Sequence, residues 1–211
     1  MLFAELSKNH GAIGIWGTTY DLGALHDLIH RTTSDDAPFT IEVGDWIIGF
    51  AYEIRKARED QRLSDNIKDF HDNDIPYYGC EILLPYWCMY LGAVRSAAKF
   101  ITITADEQSL LWKLEALTRG ALSKHLSADD LENLIQYSYC FDARHLKNVI
   151  EPSCWATAYF INFSKKKRLQ ELVGIIKDLN PTLWMIDALN PECKWPTSKD
   201  EVEAIWDKAK I

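Results

Sequence analysis

The stretch Met1–Gly17, MLFAELSKNHGAIGIWG, decides how the chain begins to fold. Apolar runs occupy residues 2–7 and 12–17, and Asn9, His10 and Gly11 lie between them. Those residue types accept the tight backbone of a turn, so the stretch reads as a β-hairpin. A chain that opens on a hairpin and then changes to helical spacing belongs to the α+β class.

Working outward, Thr19 or Asp21 can cap a helix that runs to about Arg31. Residues 32–38, TTSDDAP, read as a loop, and the alternating FTIEV of 39–43 reads as a strand. Ile47, Phe50, Ala51, Ile54 and Ala57 recur at helical spacing, so 45–62 forms an amphipathic helix. The polar, acidic SDNIKDFHDNDIPYYG of 64–79 reads as a mobile loop or insertion. Pro85 suits the first turn of a helix through Ala98.

Beyond it nearly everything reads as helix. Thr104-Ala-Asp-Glu107 is a capping box for a helix to about Lys124. Ser127 can cap 128–139, and helices follow at 142–151, 153–163 and 165–179. Asn180-Pro181 breaks the run, 182–189 resumes it, and a second capping box at Ser198–Glu201 opens a last helix. The expected architecture is a small N-terminal antiparallel sheet built on the 2–17 hairpin, with a predominantly helical remainder. A chain of this length makes one domain, 1–211, with an α+β lobe over about 1–100 and a helical lobe over about 101–211.

Composition narrows the function classes. Hydrophobic residues make up 47% of the chain, including eight Trp, which is enough to fill a core and excludes long disordered spans. A formal net charge of −8 argues against a nonspecific nucleic-acid binder, which needs a cationic face to displace counterions. The same charge steers the chain toward basic partners. Cys80, Cys88, Cys140, Cys154 and Cys193 are odd in number and form no C-x-x-C pair, so they fit a reducing compartment rather than a disulfide framework. The first residues lack the basic start of a signal peptide, and no run of about 18 apolar residues exists to span a membrane. A cytoplasmic protein is expected.

Three segments together resemble a known pattern. GIWGTTYDLGALHDLIH (14–30) is similar to G-x-Y-x-D-L-x-x-L-(aromatic)-x-x-I-H, and IIGFAYEIRKARED (47–60) to L-G-(apolar)-x-Y-D-(apolar)-R-x-A. EILLPYWCMYLGAVRSAA (81–98) resembles a following ILWP … LR-x-A segment. In this order, over about residues 1–120, they resemble an uncharacterised family of bacterial domains of unknown function. The resemblance implies no activity and no catalytic residues. It places His30 at a recurrent position and His26 where an aromatic residue is usual.

The residues also offer candidate chemistry of their own. His26 and His30, in HDLIH, share a helix face at i, i+4 and can reach one ion, zinc being the obvious one, with Asp27 as a base. Third-ligand candidates are Glu53, His71, Asp72 and His125. The bland reading makes Leu22, Leu25, Leu28 and Ile29 the core stripe, with His26 at its border and His30 on the surface. Arg55 and Arg58 can clamp a phosphate or, with Glu53, Glu59 and Arg62, form a solvated ion-paired face. Arg95 interrupts an apolar helix and is expected to pair with Glu53 or Asp45. Cys140 precedes His145 by five residues, with Asp142 between, and reads as a small core thiol before it reads as a nucleophile. SKKKR (164–168) is the basic cluster, set against a helix dipole that it opposes.

Asp69, Asp72 and Asp74 in the acidic segment, and Trp195 in a Pro-flanked stretch, are the candidate partner-binding residues. The favoured expectation is a non-enzymatic protein-binding protein, of the immunity or antitoxin type, that neutralises a basic toxin. No catalytic residue and no cofactor is assigned. The alternative is a metal-dependent hydrolase on the His26/His30 helix.

Overall fold

A computed structural model describes residues 1–33, 39–68, 71–180 and 199–208. The opening hairpin forms as expected, from β1 (Phe3–Leu6) and β2 (Ala12–Gly17). Its turn places His10 in the left-handed region at φ 56°, where His is tolerated better than a branched residue. Helix α1 follows (Thr19–Thr32). Its cap is Thr18, one residue before the two expected, and Asp21 closes a capping box with it.

Two expectations for the next segments are corrected. FTIEV is not a strand: Thr40 is an N-cap and α2 runs over Ile41–Arg58. Val43 lies four residues before Ile47 and extends the buried stripe of Phe50, Ala51, Ile54 and Ala57, while Ile41 stays exposed. Five alternating residues are outweighed by a stripe of four turns. The 64–79 segment is not a loop either. It supplies β3 (Leu63–Lys68) and most of β4 (Asp74–Leu83), with a turn that puts Asp72 at φ 63°.

The four strands form one antiparallel sheet in the order β1-β2-β4-β3. β4 pairs with β2 through Tyr78–Leu83 and with β3 through Asp74–Gly79, so it serves as the spine of the sheet. Period-2 alternation sends Ile13, Ile15, Cys80 and Ile82 to the core face, where α1, α2 and α3 (Leu84–Ala97) pack.

Helix α3 begins at Leu84 with Pro85 in its first turn, as expected, and is buried on almost every side. Trp87 stands edge-on to Phe50 at 5.7 Å and donates its indole N–H to Thr118 Oγ1 at 2.9 Å. Thr118 lies on α4 (Ala105–Leu122), whose Thr104–Glu107 capping box is formed. Arg31 of α1 reaches that box, pairing with Glu107 and donating to the Thr102 carbonyl at 2.6 Å. Helices α5 (Ala128–Tyr139, capped by Ser127) and α7 (Lys165–Leu179) match their expected spans.

The expected break between 142–151 and 153–163 is absent. A 3₁₀ turn (Ala143–His145) precedes one helix, α6 (Lys147–Ile161), which carries Pro152 inside it. An interior proline costs a helical hydrogen bond. Here Val149, Ser153, Ala156, Thr157 and Phe160 are buried around it and hold the helix together. The last described helix, α8 (Lys199–Lys208), packs against α6. The expected helix at 182–189 and Ser198 lie outside the described residues. One hydrophobic cluster runs from Leu2 to Leu179 across the sheet and the helices. Among the described residues no helix is long and apolar enough to cross a membrane.

Among the glycines the tightest position is Gly92, where α3 meets α5. A Cβ at position 92 would lie 1.9 Å from the Ser138 carbonyl oxygen and 3.2 Å from Phe141 Cβ. Gly92→Ala is expected to lower stability by about 1–3 kcal/mol or more, because backbone must move to relieve the overlap. Gly120, on α4, has nothing within 4 Å of the same position. Gly120→Ala is expected to stabilise by about 0.5–1 kcal/mol. Urea midpoints of the two variants should shift in opposite directions, and a neutral Gly92→Ala would contradict the packing.

Candidate functional site

Helix α1 does bring His26 and His30 together, with ring centroids 4.4 Å apart. The expected third ligands lie elsewhere. Glu53 is held by Arg62 through two bonds of 2.7 and 2.9 Å. His125 instead meets His10, with ring centroids 4.9 Å apart. His71 and Asp72 belong to the β3–β4 turn. Among the described residues no group of three His, Cys, Asp or Glu could hold a metal ion. Asp27 accepts from His26 Nδ1 at 3.1 Å. Desolvation first, then the positive charge of His26 and Arg55, holds His30 below the usual imidazole range, against the pull of Asp27. Positive charge beside a pair of imidazoles disfavours a cation there.

The other candidates resolve into ties within the fold. Arg95 pairs with neither Glu53 nor Asp45. Its guanidinium lies between the rings of Trp112 and Tyr139, at 4.2 and 4.3 Å, and donates to Tyr139 Oη at 2.8 Å and Glu115 at 3.4 Å. Glu115 also takes Arg119 at 2.9 Å, so one half-buried carboxylate serves two arginines. Arg55 reaches Glu59 at 4.0 Å, in place of the expected Glu53 neighbour and Glu59–Arg62 pair. Asp142 is bound by Arg144, which holds its carboxyl well below the usual range, and so is not free to orient His145. Burial pushes the thiols of Cys80 and Cys88 up to about 12, far from a thiolate at neutral pH.

Of the partner-binding candidates, Asp72 and Asp74 gather around Lys68, at 3.9 and 2.9 Å. Asp69 and Trp195 lie outside the described residues.

The sheet carries a feature that no sequence motif announced. Its outer face bears Phe3, Trp16 and Tyr77, whose rings form a stack: Phe3–Trp16 at 6.0 Å and 2°, Phe3–Tyr77 at 5.5 Å and 17°. Trp16 lies flat because its neighbours are glycines. A Cβ on Gly79, opposite in register, would meet the indole at 2.5 Å. The Trp16 indole N–H is buried and has no acceptor. The same face continues onto β3 through Leu63, Asp65 and Ile67, opposite Gly79, Tyr77 and Ile75.

Phe3 (37%), Leu63 (38%) and Ile67 (41%) remain exposed, and every β3 residue faces solvent. Glu5 and Glu81 flank the aromatic stack. Among the described residues, Glu5, Asp65 and Glu81 have no cation within ion-pair distance. At one side of the sheet α4 lies along β1. At the other, β3 is the terminal strand.

A family model for a domain of unknown function, DUF6904, matches residues 2–185. The chain belongs to this family. The match reaches well past the first 120 residues that carry the sequence resemblance, so the DUF6904 domain takes in the sheet and the helices through α7. No curated protein and no solved structure matches the chain.

The lowered His30 has a consequence for stability. In the unfolded chain the ring takes a proton near pH 6.5, while in the fold it resists protonation. As pH falls below about 6.5 the unfolded state therefore binds more protons, and stability declines. His30→Gln is expected to narrow the gap between urea midpoints at pH 7.5 and 5.5. His10 is lowered too and leaves a residual slope. An unchanged gap would show that the His30 ring is not desolvated.

Proposed function

We propose that this DUF6904 domain is a non-enzymatic protein-binding module. It receives an extended, basic segment of a partner protein along the β3 edge and the outer sheet face. An immunity-type protein that blocks a basic toxin is the form this reading takes.

The observation that carries it is the outer face itself: an aromatic stack bordered by three carboxylates, Glu5, Asp65 and Glu81, that no described cation neutralises. Carboxylates used by the fold are paired, as Glu53, Glu107, Glu115 and Asp142 are. Unpaired acids around exposed Phe3, Leu63 and Ile67 suit lysines and arginines on a strand whose other side chains are apolar. A terminal strand with free backbone groups is a template for such a strand. Free thiols at Cys80, Cys88, Cys140 and Cys154 favour a reducing compartment such as the cytoplasm. The hydrolase reading of His26 and His30 has no observation to favour it over this one.

The test is native mass spectrometry of the tagged chain isolated gently from its host, followed by affinity measurements on the complex. A one-to-one complex with a basic protein is expected. Glu5→Gln, Asp65→Asn and Glu81→Gln combined should weaken it about tenfold, at roughly 0.5 kcal/mol per exposed charge, and flatten its salt dependence. Full affinity with an unchanged salt dependence would overturn the charge reading. A complex that forms equally well with Phe3→Ser and Leu63→Ser would move the interface off this face.

A further inference from the structure

A second cluster lies at the far end of the sheet, where the β1–β2 turn meets the start of α7. Three distant segments converge there. The turn contributes His10, the α4–α5 connection contributes His125 and Ser127, and α7 contributes Lys165, Lys166 and Gln170. The two imidazoles are 4.9 Å apart and tilted by 58°. They line a cavity of about 280 Å³ together with Ser127, Asp130, Lys166 and Gln170.

The charge of this corner is unbalanced. Lys165, Lys166 and the half-buried Arg168 lie close to the histidines, yet none has a carboxylate within ion-pair distance among the described residues. Lys167, on the same turn, is the one that pairs, with Glu171. The single acid in the cavity, Asp130, accepts from the Ser127 hydroxyl at 2.7 Å, while its backbone N–H donates to Ser127 Oγ, the N-cap of α5. Arg168 spends its Nη donors on the Asn9 and Ile161 carbonyls and leaves its buried Nε unpaired.

The helix end adds to the excess. Ser164 is the N-cap of α7 but its side chain makes no cap bond, and Lys165–Lys167 occupy the first turn, where the dipole is already positive. His10 is held in this place by a left-handed backbone and a bond to the Lys165 main chain. Burial first, and then the charges of Lys165 and His125, depress its proton affinity.

We propose that this corner binds a phosphoryl oxyanion, coordinated by His10, His125 and Lys166 at the start of α7, with Lys165 adding positive charge beside them. The chemistry follows from the donors: two imidazoles and the Lys166 ammonium line a cavity with room for a phosphate and a small substituent, and Lys165 adds positive charge beside His10. Binding requires the rings to carry protons, so it strengthens as pH falls through the imidazole range. The groups facing the rings are Lys165, Lys166, Arg168 and Asp130, and only the last opposes an anion. The site is separate from the outer-face interface and does not depend on it.

The test is titration of the histidine rings by NMR on the full chain, in inorganic phosphate and in chloride at equal ionic strength. With millimolar phosphate, the titration midpoints of His10 and His125 are expected to rise by at least 0.5 pH unit, while that of the distant His71 stays put. Lys166→Gln should weaken phosphate binding about tenfold. His10→Asn should do the same while keeping the turn, because Asn accepts a left-handed backbone. If glycerol phosphate binds more tightly than inorganic phosphate, the natural ligand carries the phosphoryl group; if it binds less tightly, the ligand is the free ion. Equal shifts at His10, His125 and His71, or no shift at any, would overturn the proposal.

Discussion

Helix α3 can lie against α5 because position 92 has no side chain. The Ser138 carbonyl oxygen occupies the place where a Cβ would stand. Once that contact is made, α3 becomes the axis of the molecule. It packs on β2 and β4 of the sheet, on α2, and on α5, α6 and α7. Its Trp87 is tied to α4 through Thr118 and meets Phe50 of α2 edge-on. A helix apolar on nearly all sides is stable in water only when neighbours cover every face, so the sheet and the later helices are parts of one core.

That arrangement leaves the sheet with two unlike faces. The inner face is spent on α1, α2 and α3, whereas the outer face keeps its aromatic stack, exposed apolar side chains and unpaired carboxylates. The edges differ as well. β1 runs beside α4, while β3 ends the sheet with all six residues in solvent. Asp65 on β3 and the Lys68–Asp74 cross-strand pair are charges of the kind that keep such an edge from pairing with copies of itself.

Helix signals written within a few residues were legible in the sequence. The Thr104–Glu107 box, Pro85, the Ser127 cap and the stripes of α1 and α7 all stand where local chemistry put them. Strands β3 and β4 were hidden for a physical reason. β3 buries nothing, so it has no hydrophobic period to read, and acids surround the turn after it. FTIEV misled because five alternating residues also fit the start of a longer helical stripe. Pro152 misled because punctuation by proline yields to a helix face that is buried.

Sites assembled across the chain were out of reach. Arg95 finds Glu115 and Tyr139, which are 20 and 44 residues away. No spacing rule foretells that His125 would leave HDLIH alone and meet His10 instead. The aromatic stack depends on a register between β2 and β4 that sets Gly79 beneath Trp16, and that register exists only in the folded sheet.

Hydrogen exchange of the free chain, resolved by segment, tests the account most directly. A central α3 and an open β3 edge predict that residues 84–97 exchange last, while residues 63–68 exchange well before β2 and β4. If β3 were protected as strongly as β4, its edge would already be covered in the free chain. If α3 exchanged with the surface helices, it would not be the axis on which the fold is built.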